Sequence, residues 1–146
     1  MDIQAFDHLN MTVRDFRESV DWYGRVFGFS LVEEDVQDGV RWGIVRSRGG
    51  EGEQMLCLYE YPDSRFLDRL ELKAQGIHGM NHFAFRIDDE ARWEETVRRE
   101  GVDVSPWEWP HSKAWYVTDP TGYEIEVVFW KEGSARFEPL KTGIAL

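Results

Sequence analysis

Two stretches half a chain apart say nearly the same thing, and that repetition constrains the fold more than any other feature. "FDHLNMTVRD" (Phe6–Asp15) aligns with "MNHFAFRIDD" (Met80–Asp89), and His82 falls 74 residues after His8. Each stretch alternates as a strand does. Leu9, Met11 and Val13 oppose His8, Asn10 and Thr12; Phe83, Phe85 and Ile87 oppose His82, Ala84 and Arg86. Each ends in acidic residues that open a helical pattern, a charge that suits a helix N-terminus. The first helix carries Phe16, Val20, Tyr23 and Phe27 and stops at Gly28; the second carries Trp93 and Val97 and stops at Gly101.

Three strand candidates follow each helix. In the first half they are Phe29–Asp35, Val40–Ser47 and Glu53–Tyr61, the last two joined by the glycine-rich turn "RGGEGE". In the second half they are Val102–Trp109, Lys113–Asp119 and Tyr123–Trp130. Both halves therefore read strand–helix–strand–strand–strand. The predicted fold is α+β: two βαβββ modules whose curved mixed sheet surrounds a central cavity, with the helices outside. Module 1 spans about 3–61, a linker 62–78, module 2 about 79–130 and a tail 131–146, all within one domain. Arg65–Gln75 in the linker reads as a short helix or a crossing segment, and Met80 as core.

Composition limits the partners. The net charge of −11 sets the chain against nucleic acid and anionic membranes, which a phosphate backbone or acidic headgroups would make repulsive. No apolar run reaches a membrane span and no signal peptide is evident, so the expected location is the cytoplasm. Cys57 is the single cysteine, which excludes an internal disulfide. A homodimer is expected, because this kind of sheet leaves edges to be covered.

Glu126 stands in the middle of an apolar strand, in "DPTGYEIEVVFW" (Asp119–Trp130), on the face opposite Ile125, Val127 and Phe129. A carboxylate there is costly unless it is paired or bound to a cation. Arg86 and Arg41 are possible partners; His8 and His82 share its parity, opposite the apolar faces of their own strands.

The repeat resembles the vicinal oxygen chelate superfamily, which includes glyoxalase I, extradiol dioxygenases, fosfomycin-resistance thiol transferases, methylmalonyl-CoA epimerase and the bleomycin-binding resistance proteins. The resemblance covers about Ile3 to Trp130. Its most specific pieces are "DHLNMTVRDFRESVDWYGRVFGF" and "DPTGYEIEVV", the latter similar to the family's Asp-Pro-x-Gly-x-x-Ile-Glu signature. The resemblance implies metal ligands at His8, His82 and Glu126 and a divalent ion (Fe, Mn, Zn or Ni) that chelates neighbouring oxygens of a small substrate. It implies glyoxalase-like or dioxygenase-like chemistry, with a metal-free small-molecule binder of the bleomycin-resistance type as the alternative.

Many metal-dependent members have a fourth ligand on the last strand of the first half. Alternation puts Cys57 at that place, as a thiolate ligand or as a small buried residue; Glu60 has the opposite parity. Asn10, where the fosfomycin enzymes have Thr, is placed to hydrogen-bond a chelated oxygen. His111 and Tyr116 are the candidates for the additional His and Tyr of extradiol cleavage, and His111 reads equally as an exposed loop residue. Glu124 reads as a rim carboxylate, His78 as a surface turn. Trp42, Tyr59, Trp107, Trp109 and Tyr116 could wall an aromatic pocket.

Overall fold

The computed structural model describes residues 3, 5–47 and 54–137. In chain order the elements are β1 (His8–Thr12), α1 (Phe16–Phe27), β2 (Ser30–Gln37), β3 (Val40–Arg46), β4 (Met55–Glu60), α2 (Arg69–Ala74), β5 (Phe83–Ile87), α3 (Glu90–Glu100), β6 (Ser105–Glu108), β7 (Ser112–Thr118) and β8 (Glu124–Trp130). They form two four-stranded mixed sheets, ordered β1-β4-β3-β2 and β5-β8-β7-β6, so the fold is α+β with three helices among the described residues. In each sheet the first strand of the module lies parallel to the last, β1 on β4 and β5 on β8. The chain separates into two compact units. The first takes the described residues up to Asn81 together with Thr118–Glu124; the second takes His82–Val117 and the described residues from Ile125 onward.

The repeat extends to the helix ends. Asp15, seven residues after His8, accepts from the Glu18 backbone N–H at 2.9 Å; Asp89, seven after His82, accepts from that of Arg92 at 3.0 Å. Each carboxylate satisfies an otherwise orphaned first-turn donor, worth about 1 kcal/mol. Gly28 and Gly101 close the two helices with φ of 72° and 64°, a left-handed geometry that side chains with a Cβ rarely adopt.

In the first unit Met11, Leu56, Leu58 and Val45 turn to one side of the sheet and are buried with Phe16, Tyr23 and Val26 of α1. Gly43 of β3 allows that approach, since a Cβ there would stand 2.7 Å from the Phe16 ring and 2.6 Å from the Glu33 carbonyl oxygen. In the second unit Trp115, Val117, Ile125 and Val127 are buried with Trp93 of α3, and the Trp93 and Trp115 rings meet edge to face. Each unit thus buries one sheet face under a helix. His8, Asn10, Cys57 and Tyr59 lie on the opposite, partly exposed face of the first sheet, and Ala84, Glu126 and Tyr116 on that of the second.

The structure departs from the expected boundaries where side chains draw the backbone off the ladder. β1 begins at His8, leaving Phe6 exposed, and β5 begins at Phe83. Met80 is 39% exposed rather than core: Arg69 donates to its carbonyl at 2.9 Å and holds it outside the strand. The linker contains a six-residue helix, α2. β6 is shorter than the alternation implied, four residues preceded by an irregular segment. The "RGGEGE" turn and tail residues 138–146 lie outside the described residues. No helix among the described residues is long and apolar enough to cross a membrane.

Candidate functional site

Glu126 is set by the strand it interrupts. Ile125 and Val127 are fully buried on the helix side of β8, so the period-two pleat turns Glu126 to the open face. There it lies directly across from Ala84 of the parallel neighbour β5. His82 precedes β5 by one residue and shares that face. Its Nε2 stands 3.1 Å from Oε2 of Glu126, with the two side chains 29% and 18% exposed. A proton on Nε2 makes the imidazole a donor to the carboxylate. Of the arginines weighed as partners, Arg86 lies across from Val128 in the β5–β8 ladder, and Arg41 in the first unit is bound to Glu34. Tyr116 of β7 joins the pair, its ring edge-on to His82 at a centroid distance of 5.5 Å.

The other expected site residues each have their own surroundings within their unit. His8 opens β1 in the first unit and contacts Asp7 through Nδ1 at 2.7 Å. Asn10 is exposed on the same face, directly across from Cys57 of β4. Burial raises the Cys57 thiol above its ordinary value, and the charges of Asp7 and Glu33 raise it further, so the thiol form is favoured. His111 is half-buried in the turn between β6 and β7, and its carbonyl accepts from Lys131 N at 3.0 Å. His78 lies in an exposed bend. Among the described residues of either unit, no three His, Cys, Asp or Glu side chains converge as a metal group.

Two carboxylates weighed for the site are occupied structurally. Glu60 lies on the helix side of β4 and accepts from the Phe16 N–H of α1 at 2.6 Å. Its parity is that of Leu58 and Leu56, so it fills a helix N-terminus instead of the open face. Glu124 is not a free rim carboxylate; it is ion-paired to Lys73 of α2.

The turn before β8 holds a group whose role the sequence did not expose. Asp119 is 4% exposed. Its Oδ1 accepts from the backbone N–H groups of Thr121, Gly122 and Tyr123 at 3.0, 2.8 and 2.8 Å, and its Oδ2 from the Tyr23 hydroxyl of α1 at 2.9 Å. Thr121 Oγ1 accepts from Arg14 N at 3.2 Å, and the Tyr123 hydroxyl donates to the Thr12 carbonyl at 3.2 Å. Burial raises the Asp119 carboxyl against these donors, which act to lower it. Asp-Pro-Thr-Gly announces a turn; the tyrosine 96 residues earlier is invisible locally.

Comparison with known proteins matches residues 5–127 to the Glyoxalase/Bleomycin resistance protein/Dioxygenase superfamily. A curated relative, "Lactoylglutathione lyase" of Escherichia coli O157:H7, is 25% identical over 130 residues, covering 86% of this chain and 92% of that protein. Among solved structures, a glyoxylase/bleomycin resistance protein/dioxygenase domain from Frankia sp. EAN1pec superimposes with a TM-score of 0.75 at 19% identity, covering 91% of this chain and 96% of that one. TnmS3, an antibiotic binding protein from Streptomyces sp. CB03234, superimposes with a TM-score of 0.60 at 18% identity, covering 89% and 100% of the two chains. Both structural likenesses concern the fold.

Proposed function

Because this chain belongs to the glyoxalase/bleomycin resistance protein/dioxygenase superfamily, we propose that it is a metal-dependent enzyme in which His82 and Glu126 hold a divalent ion, with His8 as the third ligand that the family resemblance implies. The observation that carries this reading is the 3.1 Å separation of His82 Nε2 and Glu126 Oε2. An imidazole nitrogen and a carboxylate oxygen held this close would both be within reach of one ion. An imidazole nitrogen and a carboxylate oxygen suit Fe(II), Mn(II), Zn(II) or Ni(II).

A bound ion supplies Lewis acidity toward two neighbouring oxygens of a small substrate. The chain's own groups supply the rest. Glu126 brings negative charge to a site that is mostly withdrawn from water. An ion there would be met by the Nε2 lone pair of His82. Tyr116, edge-on to the His82 ring, is the proposed group to hold or move a proton, and Asn10 and His111 complete the proposed catalytic set. The relative named as a lyase supports glyoxalase-like lyase or isomerase chemistry, with dioxygenase chemistry as the other form of the same reading. The uncovered sheet edges support a homodimer, and the net charge of −11 opposes nucleic-acid and anionic-membrane partners; the proposed location is the cytoplasm.

Metal titration tests the proposal by calorimetry and elemental analysis. Wild type retains about one ion per chain; His82→Ala and Glu126→Ala lose it. Equal metal content in all three proteins would overturn the reading. A second reading, a metal-free binder of an aromatic small molecule, draws on the stacked rings of Trp42 and Tyr59, 6.2 Å apart. It predicts ligand binding that is indifferent to chelators.

A further inference from the structure

Three oxidisable rings stand in a row on the open face of the first unit. Trp42 of β3 lies directly across from Tyr59 of β4, and their rings stack with centroids 6.2 Å apart and planes inclined by 19°. Tyr61, one residue past the end of β4, stacks on Tyr59 in turn, 5.9 Å away and inclined by 19°. The period-two pleat accounts for the second stack, since Tyr59 and Tyr61 leave the chain on the same side. Pro62 prolongs the strand direction through Tyr61, because a residue before proline is driven to an extended backbone.

The fold anchors the row along its length. The Tyr59 carbonyl accepts from Val13 N at 2.8 Å, and the Tyr61 carbonyl from Ser64 N at 3.3 Å. Between them Glu60 is held on the other face by the Phe16 N–H. Exposure rises along the row: Trp42 and Tyr59 are half-buried, and Tyr61 is 44% exposed.

Such a row has a chemical direction. An oxidised indole draws an electron from a neighbouring phenol whose proton can leave with it. Tyr61, at the wet end, can pass its proton to water. The ring separations make each transfer a single short step. Cys57 shares this face, two residues before Tyr59. Burial above all, and then the charges of Asp7 and Glu33, keep it a thiol, whereas the thiolate is the reactive form.

We propose that Trp42, Tyr59 and Tyr61 form a relay for one-electron oxidation, with Tyr61 as the modification site at its end. The oxidant is a diffusible inorganic radical of the carbonate-radical class. It takes one electron from Trp42; Tyr59 refills the indole, and Tyr61 refills Tyr59. The oxidant leaves as bicarbonate, having gained that electron and, in sum, the phenol proton of Tyr61. A neutral phenoxyl radical remains at Tyr61. A small reductant that supplies one hydrogen atom restores the phenol. Without it, two such radicals from two copies join at their ortho carbons, and the displaced ring hydrogens move to the oxygens to give dityrosine. The relay spares a half-buried indole, whose ring oxidation opens irreversibly, and moves the damage to a surface phenol that can be repaired. It is independent of the metal reading above.

Azidyl radicals, which attack indoles in preference to phenols, test the relay on the full chain with a chelator present. Pulse radiolysis follows the radicals, and peptide mass mapping locates the products. In wild type the indolyl signal converts to a phenoxyl signal, and dityrosine maps to Tyr61. Tyr59→Phe keeps the ring and its packing but removes the phenol. In that variant, shown by circular dichroism to be folded, the indolyl signal persists, product at Tyr61 falls several-fold and ring-opened Trp42 rises. Trp42→Phe likewise lowers the Tyr61 product. Undiminished Tyr61 oxidation in Tyr59→Phe overturns the relay, because it means that solvent radicals reach Tyr61 directly. Oxidation that collects at Cys57 while Tyr61 stays intact in wild type overturns it as well.

Discussion

Asp119 and Glu126 are carboxylates seven residues apart on one hairpin, and they have opposite fates. Asp119 is sealed, with four hydrogen bonds covering both oxygens and joining the turn to α1. Glu126 faces the open side of its sheet and has a single hydrogen-bond partner among the described residues, His82. A buried carboxylate with its lone pairs filled is structural, since nothing further can be accepted without breaking the network. A half-buried carboxylate with lone pairs left over and an imidazole beside it is free to bind something else. The comparison separates stability from chemistry within one turn and one strand.

The largest expected effect would sharpen it from the chemical side. Glu126→Ala lowers metal affinity at least about 100-fold, yet shifts unfolding free energy by only about 0.5 kcal/mol, as an open-face substitution should. Urea unfolding beside the metal titration checks both halves. A large loss of stability would break the comparison by making Glu126 structural too. Next comes Asp119→Ala, which removes the acceptor for three buried backbone donors and a phenol. It costs about 3 kcal/mol in urea unfolding, a loss made as fully in metal-free protein. Tyr23→Phe deletes one of those bonds with little change in shape and costs about 1.5 kcal/mol by the same measurement.

The smallest effect is a pH dependence. Burial, followed by the nearby Asp119 charge, raises the Tyr23 hydroxyl well above its ordinary value; burial likewise raises Tyr123. The folded state therefore keeps these protons longer than the unfolded chain, whose tyrosines titrate near pH ~10. Their contribution is complete below that value and declines as pH rises through the folded-state values. Thermal melts from pH 8 to 11 should show stability falling above pH ~10, less steeply in Tyr23→Phe. An unchanged slope in that variant would mean that the buried phenol does not govern the alkaline limb.

The two halves of the chain also differ in how openly they announce their contents. Alternation placed Leu56 and Leu58 under the helix and Cys57 on the other face, and the burial of both leucines agrees. Parity likewise excluded Glu60 from the open face, where it is absent because Phe16 N claims it. Parity set His8, His82 and Glu126 alike opposite the apolar stripes of their own strands and did not single out any two of them. What parity could not show is the partner of each polar group. Glu124 has the parity of Glu126, yet Lys73 of α2 takes it, and no pattern in β8 points to a lysine 51 residues earlier. Met80 looked like core because it begins an alternating run, but a strand start depends on which carbonyls the ladder captures, and Arg69 captured this one first. Trp107 and Trp109 were legible as possible pocket walls; their exposure and stacking are visible only in the structure.

By itself the sequence determined the repeated strand–helix–strand–strand–strand order, the helix caps and the side of the sheet on which each side chain stands. These follow from periods of two and 3.6 residues and from local hydrogen bonding, which act over a few residues. Tertiary structure alone decided which carboxylates are spent on the fold and which stay available, because that depends on donors brought from far along the chain.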